Sequence, residues 1–234
     1  MSGQPSQFGF EYSSVFQDES VVQAYRYRPQ YPAATFELLV ELLPAGCRPR
    51  AVLDAGCGTG FVARPLARLV DRVDAVDFSA AASLHWFEWD TAFPRFARLL
   101  AADGLFVAVG MEHERPDWMR EELGPVLARY SMNKAFAPYS AAGILAELEE
   151  QGLFRLMGSA RTDMIEWRQP ISEWVESIHA RNGFSRDRMD PREAAEADAL
   201  FAEMAARHAE GGDGMITHRY AGRLLWGRPL QPNG

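Results

Sequence analysis

Along this chain the spacing of apolar and polar residues changes several times, and each change marks an element. Residues 17–43 follow a helical period, with Phe36, Leu38, Leu39, Val40, Leu42 and Leu43 on one apolar face. The segment RYRPQYP interrupts them with two prolines, so two helices joined by a turn are predicted. After Pro44 and Gly46 the run Ala51, Val52, Leu53 is short and apolar and ends on Asp54. The glycine-rich AGCGTG follows, then a helical pattern from Val62 to Leu69: strand, tight loop, helix. Arg72 to Asp77 reads as a second short buried strand finishing on an acid, and Ser83 to Phe87 suits a strand end or the lip of a pocket. An amphipathic helix over 90–100, a turn at Ala102, Asp103 and Gly104, and a buried strand from Leu105 to Gly110 come next. This β/α alternation predicts an α/β fold, Rossmann-like and doubly wound, with a mostly parallel sheet and helices on both faces.

Past residue 115 the pattern turns helical. Helices are predicted at 117–129 and 140–151, a strand near Phe154 to Ser159, helices again at 170–180 and 191–210, and an extended segment from Met215 to Trp226. The expected organisation is a main domain of residues 1–162 and 213–234, whose first 48 residues form a helical lead-in. Residues 163–212 form a helical cap over the C-terminal edge of the sheet, bounding a substrate site.

Composition adds limits. The 234 residues, 47% hydrophobic and 24% charged, match a globular protein able to bury a real core. A net charge of −8 provides no broad basic surface, so nucleic acid is not an expected partner. No eighteen apolar residues run together and no basic stretch leads into an apolar one at the start, so neither membrane nor export is expected. With only Cys47 and Cys57 and no disulfide framework, the expected compartment is the cytoplasm. His113, His179, His208 and His218 lack ligand spacing, and no metal is expected. Oligomeric state stays open.

The chemistry concentrates in Val52-Leu53-Asp54-Ala55-Gly56-Cys57-Gly58-Thr59-Gly60-Phe61, where a strand turns into a helix. Gly56, Gly58 and Gly60 let the backbone approach a ligand and take angles a Cβ forbids, although a plain βα turn uses glycine too. Three features sharpen the reading. Asp54 precedes the glycines by two residues; Phe61 occupies the place where a dinucleotide fingerprint needs a small residue; and Asp77 ends the next strand, where an acid accepts hydrogen bonds from ribose hydroxyls. The loop therefore favours an adenosyl ligand without a pyrophosphate.

These residues carry a resemblance. VLDAGCGTGFVARPLA followed by VDAVDFS resembles motif I and the second-strand motif of class I S-adenosylmethionine-dependent methyltransferases. AYRYRPQYP resembles the opening segment of small-molecule branches (methyltransferase type 11) related to trans-aconitate methyltransferases. SLHWFEWD with PRFARLLAADGLFVAVG is similar to their fourth-strand end through fifth strand, and RYAGRLLWGRP to their closing strand. The resemblance implies S-adenosyl-L-methionine as cofactor, with Gly56, Gly58 and Gly60, and with them Cys57 and Thr59, along its methionine and ribose. It gives Asp54 the methionine amine, Asp77 the ribose and Phe78 the adenine; Tyr25 and Arg28 close over the methionine carboxylate, and Ser83 joins the cofactor-binding set. His85 and Trp86, at the mouth of the fourth strand, orient or deprotonate an acceptor, and with Tyr25 they are the catalytic candidates. Methyl transfer to oxygen, nitrogen or carbon of a small metabolite follows, with oxygen preferred because a substrate carboxylate needs no base.

The chain also departs from that pattern. Only residues 78–82 separate Asp77 from Ser83, whereas a parallel crossover needs about a dozen residues or more. Relatives place there a helix, a third strand, another helix and most of a fourth strand, a block of roughly 40 to 50 residues. That block supplies the acid reading the adenine amino group and the strand lying beside the first. Either the chain lacks it, or the sequence joins two segments across a gap. A rival function is then a non-catalytic binding module with impaired cofactor binding; a nicotinamide enzyme is disfavoured by Phe61.

Structural readings stand beside the functional ones. Packing under the cap is the commoner role for a histidine with no visible partner, so it stands ahead of the catalytic one for His85 and Trp86, while Tyr25 and Arg28 equally suit a helix turn set by Pro29 and Pro32. Glu112, His113 and Glu114 follow a strand toward the active edge but read as a solvated loop. Trp167, Trp174, Ile178 and Phe184 either wall a substrate pocket or form a helix core.

Overall fold

A computed structural model describes residues 14–46, 48–77, 83–134 and 138–231. Glu19–Ala24 forms α1, a 3-10 turn occupies Tyr25–Tyr27, and Ala33–Glu41 forms α2, with Pro32 as its extended N-cap. The two prolines thus separate the helices, as the sequence requires. Ala51–Ala55 is β1, Ala63–Leu66 a single turn of helix, α3, and Arg72–Val76 is β2. Ser83–Trp86 is a 3-10 turn rather than a strand end, and Trp89–Leu99 is α4. Then come β3 (Phe106–His113), α5 (Gly124–Tyr130), α6 (Ala141–Glu150) and β4 (Phe154–Arg161). The chain ends with β5 (Ile165–Pro170), α7 (Ile171–Ile178), α8 (Pro191–His208) and β6 (Met215–Pro229).

The fold is α/β and Rossmann-like in class, with its strands hydrogen-bonded in two groups. β1 and β2 run parallel, from Ala51 opposite Arg72 to Ala55 opposite Val76. In the other group β6 takes β3 along one edge and β4 then β5 along the other, all antiparallel. Among the described residues no strand lies between β2 and β3 in sequence, so β1 has no partner on its second side. This is the consequence expected of the short Asp77-to-Ser83 connection, whose residues 78–82 lie outside the described part.

Where a mostly parallel sheet is expected, only β1 and β2 among the described residues pair in parallel, and β3, β4 and β5 all pair antiparallel to β6. Two further expectations change. The strands at 51–55 and 72–76 read as buried, yet Leu53 is 46% and Val76 45% exposed. They share one face of the parallel pair, and no described layer covers it. The expected cap begins at residue 163, but 165–170 alternate Ile-Glu-Trp-Arg-Gln-Pro and pair with residues 215–220 of β6. Helix starts only at Ile171, after Pro170, which fits an N-cap and cannot sit inside a helix.

Three apolar clusters hold these parts. Phe93, Phe154, Leu145, Leu148 and Leu225 join α4 and α6 to the sheet, with the Phe93 and Phe106 rings 5.3 Å apart. Burying a ring such as Phe93 completely contributes roughly 1.5–3 kcal/mol. Trp174, Ile178, Phe184 and Phe201 form the core between α7 and α8, so for Trp174, Ile178 and Phe184 the helix-core reading describes their surroundings. Val15, Phe16, Val21, Tyr25 and Ala180, with Phe61 against them, tie α1 both to the end of α7 and to the glycine loop. Among the described residues no helix is long and apolar enough to cross a membrane.

Candidate active site

Three glycines shape the loop after β1. Gly56, Gly58 and Gly60 have φ of 82°, 51° and 84°, the left-handed region that other residues enter at a cost of about 1–2 kcal/mol. The resulting fold-back lets the Gly56 and Cys57 N–H groups both donate to the Val76 carbonyl, at 2.7 and 3.2 Å. Asp77, one residue on, accepts from the Gly58 N–H at 2.5 Å. The acid at the end of β2 therefore faces the loop after β1.

What the loop leaves unsatisfied defines its use. Asp54 Oδ2, Thr59 Oγ1 and Asp77 Oδ1 are buried and have no hydrogen-bond partner among the described residues. Such atoms cost about 1–3 kcal/mol each unless a ligand or water meets them. Burial pushes the Asp54 carboxyl above its ordinary value; the Ala63 N–H works against this and nearby Asp77 adds to it. The Cys57 thiol is raised by desolvation, then by Asp54 and Asp77, so it stays protonated and acts as a small residue of the turn. These orphaned oxygens fit an adenosyl amino acid: an ammonium for Asp54, a sugar hydroxyl for Asp77.

Tyr25 and Arg28 lie beside this loop. The Tyr25 ring meets Phe61 edge-on at 6.0 Å, and Arg28 Nη1 donates to Tyr25 Oη at 3.2 Å. Burial raises the phenols of Tyr25 and Tyr31, with Asp77 adding to the first and Asp54 to the second. Arg28 is also within electrostatic reach of Tyr139. Tyr139 Oη shares a 2.8 Å hydrogen bond with His85 Nε2, and burial brings His85 down to about 4 and Tyr139 up to about 12. His85 is therefore neutral near physiological pH, a hydrogen-bonding group and a weak base.

The remaining candidates fall differently. Phe78 and the side chains of Ser83 and Trp86 lie outside the described residues. Glu112 and His113 are not loop residues; they end β3, where Glu112 pairs with Arg161 at 3.0 Å and Glu114 comes within 3.9 Å of Arg219. Strand alternation turns His113 the other way, its ring 5.5 Å from that of Tyr220, and Trp167 lies 5.4 Å from His218. Sequence reasoning missed Tyr31, Tyr139 and Arg181. Tyr139 sits 54 residues from His85, and no local signal joins them.

Neither protein-family models nor curated proteins give a match to the chain. Among solved structures, a protein from Anaeromyxobacter dehalogenans assigned as a type II methyltransferase superposes with a TM-score of 0.63 at 21% identity, over 86% of this chain and 97% of that one. The chain shares the fold of that methyltransferase-assigned structure. A second methyltransferase assignment, from Bacillus halodurans C-125, has a TM-score of 0.43 at 15% identity and covers 86% of this chain and 99% of its own. Within the methyltransferase fold, the glycine loop and Asp77 occupy the ends of two adjacent parallel strands, the place where open α/β sheets bind ligands.

Proposed function

We propose that the chain binds S-adenosyl-L-methionine at the glycine loop and transfers its methyl group to a small-molecule acceptor, oxygen being the preferred atom. The observation carrying this reading is the trio of buried, unpartnered oxygens, Asp54 Oδ2, Thr59 Oγ1 and Asp77 Oδ1, around one turn. Bound there, the cofactor supplies a sulfonium-activated methyl. The protein's part is mostly positioning, because an in-line displacement gains chiefly from alignment. Asp54 holds the amine, Asp77 the ribose, and Arg28 with Tyr25 the methionine carboxylate. His85, braced by Tyr139, orients the acceptor and does not deprotonate it, since a histidine with a pKa of about 4 is a poor proton acceptor. An acceptor that is already ionised, such as a carboxylate, suits that arrangement. Residues from α7 and α8 serve as the substrate-facing cap in this reading.

A second reading is favoured by the unpartnered side of β1: a binding module that keeps the fold without catalysis. Isothermal titration with S-adenosylmethionine separates the two. Micromolar binding supports the enzyme, and absence of binding at millimolar ligand rejects it in favour of the module.

A further inference from the structure

The inner face of the antiparallel sheet collects positive and hydrogen-bond-donating groups that the cofactor does not need. His113 and His218 project from β3 and β6 beside Tyr220 and Trp167, because residues two apart on a strand share a face. Tyr220 Oη donates to the Gln30 carbonyl at 3.0 Å, which lays the segment containing Arg28 over this face. Ala180 packs in the same cluster as Tyr25, and Arg181, the next residue, is within electrostatic reach of His113 and His218. Arg115 follows His113 by two residues at the end of β3. The acids of these strands lie on the other face, where Glu112 pairs with Arg161 and Glu166 with Arg219. Among the described residues, no carboxylate forms an ion pair with Arg28, Arg115 or Arg181.

Arg181 and Arg115 are exposed, while Arg28, His113 and His218 are half-buried; desolvation, then Arg28 and Arg115, bring the Arg181 pKa down to about 10. Burial brings His113 and His218 down to about 4, with the nearby arginines contributing. His218 Nε2 is itself buried without a hydrogen-bond partner. Guanidinium groups of Arg28 and Arg115 that repel the one on Arg181, beside neutral imidazoles, are an arrangement that an anion stabilises.

The geometry points to an oxyanion-binding subsite formed by Arg115, Arg181, His113 and His218, with Arg28 at its border with the cofactor loop, which takes an anionic group of the acceptor distinct from the atom methylated. The acceptor is then a small molecule with at least two polar ends, one of them a carboxylate or a phosphoryl group. The role as acceptor site rests on the methyltransferase reading; the anion binding itself does not.

The test is titration of the full chain with succinate, with inorganic phosphate and with uncharged succinamide, alongside a separate titration with S-adenosylhomocysteine. Saturable binding of succinate or phosphate but not of succinamide is expected, and the tighter of the two identifies the oxyanion. Arg181→Gln should weaken that anion by about tenfold or more and leave S-adenosylhomocysteine affinity unchanged. Arg115→Gln serves if the first variant does not fold. Histidine side-chain resonances should report pKa values for His113 and His218 that rise saturably as anion is added, whereas a loss of packing would raise them with no anion present. If neither anion binds at about 10 mM while S-adenosylhomocysteine does, or if both arginine variants fold and bind the anion as the parent does, the subsite is rejected. Anion binding without S-adenosylhomocysteine binding keeps the subsite and removes the methyltransferase reading.

Discussion

Asp77 holds the Gly58 N–H through one carboxylate oxygen and leaves the other buried and unpartnered, so a single side chain both shapes the glycine turn and keeps an acceptor free beside it. Asp77→Asn preserves the size of the side chain and removes its charge. The expected result is a folded protein whose S-adenosylhomocysteine affinity falls about tenfold or more, since hydrogen bonds to a charged group contribute roughly 1.5–3 kcal/mol. Calorimetric titration of the two proteins checks it.

Asp54 gives that affinity a pH dependence. Its carboxyl is raised above the ordinary value by burial, so as pH falls it protonates earlier than an exposed aspartate. A ligand ammonium prefers the ionised form. Affinity should therefore rise with pH as Asp54 ionises and level off toward neutrality, and Asp54→Asn should be weaker throughout and flat. A series of dissociation constants from about pH 4 to 8 reads this directly.

Three histidines make the fold acid-labile in a defined direction. His85, His113 and His218 are each brought down to about 4 from 6.5, so between these values the unfolded chain binds more protons than the folded one. Stability must then rise with pH across that window and be lost as pH falls through it. Urea midpoints measured over the same range should fall on acidification, and His85→Gln should reduce the slope. An anion bound near His113 and His218 should reduce it as well.

Close packing between α2 and the sheet offers a test of the fold itself. A Cβ at Gly222 would lie 2.0 Å from the Thr35 hydroxyl oxygen, and Thr35 is fully buried with that oxygen unpartnered. Gly222→Ala should cost about 1–3 kcal/mol through overpacking. The double variant with Thr35→Ala should recover part of the loss, because it removes the oxygen struck. Thermal unfolding of the four proteins of this cycle isolates the coupling.

How far the sequence could be read follows from the range of each interaction. The glycine turn and the acids at 54 and 77 were legible because the conformational need for glycine and the strand-end position of an acid are local properties. The incomplete sheet was legible from a count of five residues between Asp77 and Ser83. His85 with Tyr139, and Arg181 with His113 and His218, were not, since they meet only after α6, β5 and α7 have packed. Alternation in Met-Glu-His-Glu at 111–114 and Thr-His-Arg-Tyr at 217–220 does place His113, His218 and Tyr220 at period-two positions. It does not say which face turns inward, and that depends on the cap.

The unpartnered side of β1 has a dynamic consequence. In the antiparallel sheet β6 is bonded on both sides and holds Leu224 fully buried, whereas β1 is bonded only to β2 and leaves Leu53 about half exposed. Amide exchange follows local opening, which is easiest where backbone bonds face solvent and little apolar area is lost. Amides of residues 51–55 should therefore exchange orders of magnitude faster than those of 221–226. S-adenosylhomocysteine, by gripping the loop that joins β1 to the end of β2, should slow the first set and leave the second unchanged. Equal protection of the two sets in the free protein would mean that something covers the open side of β1, and the strand count argued for this fold would have to be revised.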